Sequence, residues 1–368
     1  MSDCFIGLMS GTSTDGVDAA LLEFTSVARL LSTHFLPYPQ TVRKGLLDFA
    51  GGKYAGDAID QLGALDNALG ELFAEAALAV LAKTRLSRTD IGAIGSHGQT
   101  VRHRPAGQYP FTLQIADPNV IAARTGIATV ADFRRRDVAL GGQGAPLVPA
   151  FHNAMFADHK EARVVVNIGG IANVTLLPTE RGRVSGFDTG PGNLLMDAWS
   201  RAYLQQSHDE NGAFAASGTV NAALLQALLA DEYFQRRPPK STGREHFGEV
   251  WLAEKLRGRN LAPADVMATL CELTAYSIAN AIASHAPHAA RVLLCGGGAH
   301  NAHLLKRLAA DLPQRIITTT EDFGIHPDWV EAAAFAWLAR ETLAGRPGNL
   351  PAVTGARRPA VLGAIYSA

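Results

Sequence analysis

The sequence predicts an α/β protein made of two domains that share one plan. Apolar residues make up 47% and charged residues 18% of the 368 residues, which is a globular composition with enough length for two cores. Short apolar runs typical of strands alternate with longer amphipathic runs typical of helices. A strand, a Gly-rich turn and a second strand are predicted at residues 4–24 and again at 163–177. We therefore expect domains at residues 1–135 and 136–368, and the last helix or the tail is a candidate to pack back on the first.

The first half of the chain predicts its elements in the following order. The turn of the first hairpin separates two apolar strands, and a long helix follows in which Leu62, Leu65 and Leu69 lie on or near one stripe. Gly-rich and charged residues at 134–144 then mark the region of the domain boundary. The expected strands are residues 4–9, 17–24, 91–96, 111–115 and 127–130, and the expected helices are 58–84 and 118–125.

The second half of the chain repeats the alternation. The strongly β-prone residues 163–167 and 172–177 surround a second Gly-rich turn, and residues 186–193 predict a third turn that opens a helix. A strand at 291–295 runs into three consecutive glycines. The expected helices are residues 194–203, 224–229, 250–256, 266–283, 300–312 and 329–343.

Charge and cysteine content exclude several classes of partner. The formal net charge of -1 supplies no basic field for a nucleic acid or an anionic membrane surface, and no apolar run approaches the ~20 residues of a membrane span. The N-terminus does not resemble a signal peptide. Cys4, Cys271 and Cys295 are odd in number and far apart, which argues against disulfides and structural zinc and favours a reducing compartment. We expect a cytoplasmic protein whose partners are small molecules.

The first Gly-rich turn, SGTSTDGVD at residues 10–18, has the residues of a phosphate site. Small residues let backbone N–H groups approach phosphate oxygens, hydroxyl groups add hydrogen bonds, and an aspartate can hold a metal ion directly or through water. A solvent-exposed hairpin turn is an equally good interpretation of this segment alone. The Gly-x-x-x-x-Gly-Lys-Ser/Thr pattern of nucleotide-binding loops is missing.

Two further Gly-rich segments leave apolar strands. Gly169 and Gly170 form the second hairpin turn, and residues 296–298 precede a helix whose N-terminus is suited to an anion. A plain connection between strand and helix explains residues 296–298 equally well. Three such turns in one chain favour nucleotide binding more than any one of them does.

Two carboxylates are candidates for proton transfer. Asp188 stands at the mouth of the third turn, where it can accept a proton from water or a hydroxyl group, although it can also cap the following helix. Glu331 begins an apolar helix, and on local grounds it is an ordinary carboxylate in the first turn of a helix.

Other polar residues follow predicted strands. Asp132 can contact a sugar hydroxyl or form an ion pair with Arg134, and His97 and Gln99 stand in a compact polar loop. Residues 240–245 predict either a polar loop over the site or, slightly preferred, a solvated connection.

Six motifs together resemble the anhydro-N-acetylmuramic acid kinases. They occur in the order of that family over essentially the whole chain, with one small departure at Thr14, where many members carry Met. The motifs are SGTSTDGVD (10–18), SHGQT (96–100), VADFR (130–134), NIGGIAN (167–173), FDTGPGN (187–193) and CGGGAHN (295–301).

This resemblance implies a fold and a reaction. The family belongs to the larger group of actin, heat-shock chaperones and hexokinase, so it implies two ribonuclease-H-like domains flanking an ATP cleft. It implies ATP with Mg²⁺ as cofactors and a homodimer. The implied reaction converts 1,6-anhydro-N-acetylmuramic acid, ATP and water to N-acetylmuramic acid 6-phosphate and ADP, in the recycling of peptidoglycan.

The resemblance also assigns residues. Asp188 is implied as the general base on the attacking water, with Glu331 near the reacting groups. The sugar would be bound by His97, Gln99, Asp132 and Arg134. The nucleotide would be bound by Gly11, Thr12, Ser13, Thr14, Asp15, Gly16, Val17, Asp18, Asn167, Gly169, Gly170, Gly296, Gly297, Gly298 and Asn301.

Three questions stay open from the sequence. Asp15, Asp18 or water alone can hold Mg²⁺. A kinase for another anhydro sugar, such as levoglucosan, would use the same chemistry. A non-enzymatic, nucleotide-switched binding protein is the alternative from a different class.

Overall fold

A computed structural model describes residues 2–11, 13–25, 28–54, 56–179 and 182–368. The strands are β1 Cys4–Met9, β2 Gly16–Phe24, β3 Ala28–Pro37, β4 Ile91–Ser96, β5 Gln99–Arg104, β6 Phe111–Ile115, β7 Thr129–Ala131, β8 Arg163–Ile168, β9 Ile171–Leu177, β10 Ser185–Pro191, β11 Arg291–Cys295, β12 Ile316–Thr319 and β13 Ala364–Tyr366. The α-helices are α1 Gln40–Ala50, α2 Ala58–Ala82, α3 Pro118–Thr125, α4 Phe133–Ala139, α5 Val148–Phe156, α6 Leu194–Tyr203, α7 Ala213–Ser217, α8 Ala222–Leu229, α9 Glu232–Gln235, α10 Glu249–Leu256, α11 Pro263–His285, α12 Ala302–Asp311, α13 Val330–Leu343 and α14 Pro351–Thr354.

The chain divides into two compact units. The first unit contains Met1–Phe151 and Trp329–Ala368, and the second contains His152–Asp328. The boundary expected from the sequence, after residue 135, lies inside α4. The residues beyond it are tied into the first unit because the buried Asp137 carboxylate accepts hydrogen bonds from Gly144 N, Asn349 Nδ2 and Thr354 Oγ1.

Each unit contains its own sheet, and the two sheets share one topology. In the first unit the strand order is β13-β7-β4-β1-β2-β3, with β1, β2 and β3 antiparallel and with β4 and β7 continuing in parallel from β1. In the second unit the order is β10-β9-β8-β11-β12, again with three antiparallel strands followed by two parallel ones. The predicted α/β class and the repeated strand–turn–strand plan are confirmed.

The core of the first unit depends on two glycines. Ile6 and Leu8 of β1 pack with Phe73 of α2 on one face of the sheet. On the opposite face, a Cβ atom at Gly7 would lie 1.8 Å from the Ala332 carbonyl oxygen of α13, and one at Gly95 would lie 2.0 Å from that of Phe335. The backbone of α13 therefore packs directly on β1 and β4, which places its N-terminal turn near the ends of those strands.

Helix α11 forms the centre of the second core. Its residues Leu270 and Ile278 pack with Val164 and Val166 of β8. The helix has the length and hydropathy of a membrane span, but 83% of its most apolar 18-residue window is buried inside this unit. Its apolar character is therefore that of a core helix. No stretch with the hydropathy of a membrane span was expected from the sequence, and this helix has it.

Several sequence predictions of secondary structure were wrong. Residues 186–193 were expected to form a turn, yet Ser185–Pro191 is the edge strand β10, because it pairs with β9 along its length. The charged stretch after Asp132 begins with helix α4. Strands β3 and β5 and helix α1 were not predicted, since their apolar residues are interrupted by polar ones. Strand β12 was not predicted because it has only four residues.

Candidate active site

The turn between β1 and β2 is held from below by two buried side chains. The Ser10 hydroxyl lies 2.8 Å from the Gly16 carbonyl oxygen and 2.6 Å from Oε1 of Gln99, and it can donate to either. Gln99 Nε2 in turn donates to the Gly11 carbonyl oxygen over 3.2 Å. Gln99, which the resemblance assigns to the sugar, is only 2% exposed and lies beneath the turn.

The upper part of the same turn carries exposed oxygen atoms. Ser13 Oγ donates to Asp15 Oδ1 over 2.8 Å, both side chains are exposed, and Asp18 is half-buried on β2. Thr14 adopts a left-handed conformation with φ of 51°, which is uncommon for a residue with a Cβ atom. Thr12 lies outside the described residues.

The two glycines and the valine predicted to bind nucleotide in this turn differ in whether packing explains them. A Cβ atom at Gly16 would lie 2.4 Å from the Leu36 carbonyl oxygen, so packing requires glycine there. At Gly11 the nearest atom would be Ser13 Oγ at 3.7 Å, an ordinary contact. Val17 is fully buried in the core. Of these three predicted nucleotide-binding residues, Gly11 is the one that packing does not explain.

A buried histidine and arginine lie together in the first unit. Arg134 donates from Nε and Nη2 to His97 Nε2, over 3.0 and 2.8 Å, and from Nη1 to the Gly144 carbonyl oxygen over 2.7 Å. Burial, followed by the charge of Arg134, holds the pKa of His97 well below its usual range, so this imidazole is neutral and accepts hydrogen bonds.

Glu331 supplies negative charge to this pair. Burial lowers the pKa of Arg134 to about 10, while the charges of Glu331 and Asp137 act in the opposite direction. Because α13 packs on β1 and β4, its first turn brings the half-buried Glu331 to the guanidinium. His97, Arg134 and Glu331, which are predicted site residues distant in sequence, thus form one cluster.

Asp132 also stands beside this cluster but has a different partner from the one considered. Its carboxylate pairs with Arg135 Nε at 3.5 Å, so the suggested ion pair with Arg134 is wrong. Its backbone is left-handed, with φ of 61°, and burial raises the pKa of the carboxyl group. A non-glycine residue held in this conformation is a feature often found at functional sites.

In the second unit, the Gly-rich segments interlock. Gly192 N donates to the Gly170 carbonyl oxygen and Asn193 N to that of Gly169, each over 2.8 Å. Asn193 Nδ2 donates to the Ile168 carbonyl oxygen over 3.0 Å. A Cβ atom at Gly192 would lie 2.3 Å from the Gly169 oxygen, so the turns can approach this closely only with glycine.

Residues 296–298 join the same assembly. A Cβ atom at Gly296 would lie 2.3 Å from Oδ1 of Asn167, and one at Gly298 would lie 2.3 Å from the Ile168 side chain. In contrast, Gly169, Gly170 and Gly297 have no atom closer than 3.5 Å to such a Cβ. These three backbone positions remain open to an approaching group after packing has been satisfied.

Asn301 has a structural role. Its side chain caps α12 by accepting a hydrogen bond from Leu304 N over 2.9 Å. This cap explains an asparagine at this position without a ligand.

Asp188 is fixed from both its backbone and its carboxylate. Its N donates to the Lys240 carbonyl oxygen over 3.2 Å, and its carbonyl oxygen accepts from the Tyr233 hydroxyl over 2.7 Å. Its Oδ2 accepts from Thr242 N over 3.0 Å. Residues 240–242 therefore run beside β10 and hold the carboxylate, which corrects the preference for a solvated connection in 240–245.

The environment of Asp188 raises the pKa of its carboxyl group. Burial raises the pKa of the carboxyl group to about 6; the Thr242 hydrogen bond lowers it, Glu245 raises it and Lys240 lowers it. A carboxylate with this pKa is ionised at neutral pH but keeps enough basicity to take a proton. Asp188 is therefore suited to general-base chemistry.

Comparison with known proteins identifies the family. The family model described as anhydro-N-acetylmuramic acid kinase matches residues 3–368. The chain belongs to this family. It is 53% identical over 363 residues to the anhydro-N-acetylmuramic acid kinase of Coxiella burnetii (strain Dugway 5J108-111), covering 98% of this chain and 97% of the relative. It is 52% identical over 371 residues to that of Xanthomonas campestris pv. campestris (strain 8004), covering 100% and 98%.

A solved structure supports the fold of this kinase-family chain. Component A of the (R)-2-hydroxyglutaryl-CoA dehydratase of Acidaminococcus fermentans aligns with a TM-score of 0.50 at 13% identity, covering 93% of this chain and 100% of that chain. At this identity the likeness concerns the fold alone.

The residues of this kinase-family chain fit a nucleotide and a magnesium ion. Gly11 in the first unit, and Gly169 and Gly170 in the second, each leave open backbone of the kind that a phosphate group can approach. Mg²⁺ usually takes one or two protein carboxylates and otherwise phosphate oxygens and waters, and Asp15 and Asp18 offer such oxygens. Within the described ranges no group of three or more His, Cys, Asp or Glu is arranged to hold a metal ion by itself.

Two groups that hold Asp188, and one further carboxylate in the second unit, escaped sequence reasoning. Tyr233 and the amide of Thr242, which hold Asp188, lie more than forty residues along the chain from it, and no local pattern connects them. Asp197, in the first turn of α6, was also not considered, although burial raises the pKa of its carboxyl group to about 6. The sequence signal for Asp197 was its position in the first turn of the helix that follows the third Gly-rich segment.

Proposed function

We propose that this protein is an ATP-dependent kinase of 1,6-anhydro-N-acetylmuramic acid that opens the anhydro ring with water and phosphorylates O6. The products are N-acetylmuramic acid 6-phosphate and ADP, and the setting is peptidoglycan recycling. The observation that carries the proposal is the 53% identity over nearly the full length of relatives with this name.

Asp188 is proposed to start the hydrolytic half. Its carboxylate takes a proton from the water that attacks C1, the new C1–O bond forms, and the bond between C1 and O6 breaks. An enzyme that uses one carboxylate on water opposite the leaving oxygen resembles an inverting glycoside hydrolase. The usual acid is dispensable, because the electron pair left on O6 forms the new bond to phosphorus.

Phosphoryl transfer completes the electron balance. O6 bonds to the γ-phosphorus of ATP, the bond to the β-phosphate oxygen breaks, and ADP leaves. Such transfers depend mainly on positioning and on neutralisation of charge. Backbone donors at Gly11, Gly169, Gly170 and Gly297 are the groups we assign to the phosphates, and Asn167 and residues 296–298 are assigned to the nucleotide. Bound Mg²⁺ would neutralise phosphate charge, with Asp15 and Asp18 as the candidate ligands.

The cluster around Arg134 is proposed to bind the sugar. An arginine offers a bidentate match for a carboxylate, and the sugar carries one on its lactyl group. Because His97 contacts the guanidinium and Gln99 holds the turn, we assign these two residues supporting roles. Asp132 is assigned to a sugar hydroxyl, and Glu331 to the orientation of the sugar or of water. A homodimer in the cytoplasm remains part of the proposal.

Isotope labelling tests both halves of the reaction. The protein is incubated with the anhydro sugar, ATP and Mg²⁺ in ¹⁸O-water, and the product is analysed by mass spectrometry. We expect ¹⁸O at C1 and a phosphate on O6 of the same molecule. An unlabelled C1, or phosphate release without a sugar 6-phosphate, would contradict the coupled reaction.

Competition between sugars tests the substrate. Turnover of 1,6-anhydro-N-acetylmuramic acid should exceed that of levoglucosan, which lacks the N-acetyl and lactyl groups. Equal turnover would favour a kinase of simpler anhydro sugars. ATP consumption that does not depend on sugar would favour a nucleotide-switched protein.

A further inference from the structure

A polar cavity lies against the strand that carries Asp188. It occupies about 200 Å³ in the second unit, between β10, α9, the segment after α9, and α11. Phe187 and Thr189, the neighbours of Asp188 on β10, contribute to its lining, whereas Asp188 does not. The cavity is therefore adjacent to the candidate base but separate from it.

Four basic side chains belong to the described lining of this cavity. They are Arg236, Arg237, Lys240 and His285, and no carboxylate belongs to the described lining. Arg236 forms an exposed ion pair with Glu232 one helical turn away. For Arg237, in the described part of the chain, no ion pair is found. The cavity thus gathers positive charge without a matching acid in its walls.

The ammonium group of Lys240 is held at this position. Nζ donates to the Tyr233 carbonyl oxygen over 3.1 Å and lies 4.5 Å from the centre of the Tyr233 ring. Burial and then the charge of Arg236 lower the pKa of Lys240, while the charge of Asp188 raises it. Burial and then the charge of Lys240 lower the pKa of His285. Like charges that repel one another in a fixed position favour the arrival of an anion.

Neutral hydrogen-bonding groups complete the wall. Tyr276, Asn280 and Ser284 are exposed on α11 and recur every four residues, so they form one stripe on a helix that is otherwise mostly buried. These three residues line the cavity together with the basic side chains. This combination suits an oxyanion, which accepts hydrogen bonds at every oxygen.

We propose that this cavity binds a small phosphate-class oxyanion, either free phosphate or the phosphate group of a sugar phosphate. The volume of about 200 Å³ is below the ~300–1,000 Å³ typical of sites for larger ligands, and it suits a single such group. This site is distinct from the backbone turns assigned to ATP, and it does not depend on the proposed kinase activity.

Calorimetric titration of the whole protein with inorganic phosphate tests this site. Saturating ADP with Mg²⁺ is present in one series and absent in a second, so that binding at the nucleotide turns is distinguished. We expect one phosphate bound per chain in both series. Arg237→Ala should weaken it about tenfold, which is the loss of one charge-assisted contact. Ser284→Trp, a change at an exposed position, should abolish it by filling the cavity.

A matched variant and a second ligand complete the experiment. Arg257→Ala removes an exposed arginine at the end of α10 and should leave phosphate binding unchanged. N-acetylglucosamine 6-phosphate that binds more tightly than phosphate, with the same dependence on Arg237, would identify a sugar phosphate as the ligand. The reverse order would identify free phosphate.

Three results would overturn the proposal. They are no phosphate binding by the unaltered protein, binding that ADP abolishes, and binding that both Arg237→Ala and Ser284→Trp leave intact. Thermal unfolding of each variant without phosphate checks that a loss of binding is not a loss of fold. Kinase failure with intact phosphate binding would refute the proposed reaction and leave this site standing.

Discussion

The two strand–turn–strand hairpins occupy the same place in their sheets but are held in different ways. In the first unit, the side chain of Gln99 anchors the polar turn from below through Ser10 and Gly11. In the second, Gly169 and Gly170 form a short turn that the backbone of Gly192 and Asn193 anchors. The first turn can offer hydroxyl and carboxylate oxygens, whereas the second offers only backbone groups.

The two hairpins share the topology of their sheets but differ in the chemical groups that their turns offer. Both turns keep open glycines, Gly11 in one and Gly170 in the other, beside glycines that packing demands. The candidate base, Asp188, belongs to the unit whose turn has no side chains to offer. We infer that charged contacts to a metal ion belong to the first turn and proton transfer to the second unit, and the following predictions test this division.

The largest effect is expected from Asp188→Asn. An amide cannot accept the proton from water, so turnover of the anhydro sugar should fall by roughly 10²–10⁴-fold while ATP binding is retained. Steady-state kinetics and a nucleotide titration measure the two. Asp158→Asn, a change in a half-buried carboxylate of the same unit that pairs with Arg163, is the control and should leave both unchanged. Near-normal turnover in Asp188→Asn would move the base to another residue.

A change at Thr242 should be the next largest. Thr242→Pro removes the N–H that bonds Oδ2 of Asp188, and the loss of a hydrogen bond to a charged group should reduce kcat by about 10–100-fold. Thr242→Val keeps the N–H and removes a buried hydroxyl for which no partner is found among the described residues. It should keep nearly full activity. If the two variants lose activity equally, the amide is not what positions Asp188.

Glycine substitutions test the comparison of the turns directly. Gly170→Ala adds a Cβ whose nearest atom is 3.9 Å away, so the fold should be preserved while the KM for ATP rises about tenfold. Gly192→Ala forces a Cβ to 2.3 Å from the Gly169 oxygen and should lower the free energy of unfolding by ~1–3 kcal/mol.

The same pair exists in the first unit. Gly11→Ala should weaken the binding of ATP and leave the stability unchanged. Gly16→Ala should lower the free energy of unfolding, because the new Cβ atom would lie 2.4 Å from the Leu36 carbonyl oxygen. Thermal unfolding and ATP kinetics on all four variants provide the measurement. A Gly170→Ala protein that binds ATP normally would argue that the second turn does not contact phosphate.

The smallest effect is a shift in pH dependence. Asp188 must be ionised to act, and its pKa of about 6 predicts that kcat/KM falls as the pH drops through this value. Glu245 raises this pKa by its charge, so Glu245→Gln should move the acid limb to lower pH. A limb that stays in place, or moves to higher pH, would show that another group controls it. The measurement is kcat/KM from pH 5 to 8.

Much of the fold was accessible from the sequence because its signals are local. Apolar runs and Gly-rich turns predicted the strands β1, β2, β8 and β9, whose sequences are mostly apolar and buried. Strand β10 was missed because Gly186, Gly190 and Pro191 resemble a turn, whereas pairing with β9 decides the structure. Tertiary contact overrode local preference there.

The candidate site was only partly accessible. Its motifs indicated Asp188, Arg134 and Gly170, but the groups that hold them come from distant parts of the chain. Tyr233 and Thr242 hold Asp188, and Glu331 reaches Arg134 through the packing of α13. No periodicity or spacing encodes such contacts between elements far apart in sequence.

The close packing of α13 against Gly7 and Gly95 has a consequence for synthesis of the protein on the ribosome. The second unit is one continuous segment, whereas the first unit needs α13, which is translated after the whole of the second unit. The sheet of the first unit therefore leaves the ribosome with one face exposed. Nearly two hundred further codons are translated before α13, which packs on that face. The second unit can therefore finish folding before the first, although its translation begins later. Nascent chains that stop before α13 expose apolar surface to chaperones and proteases.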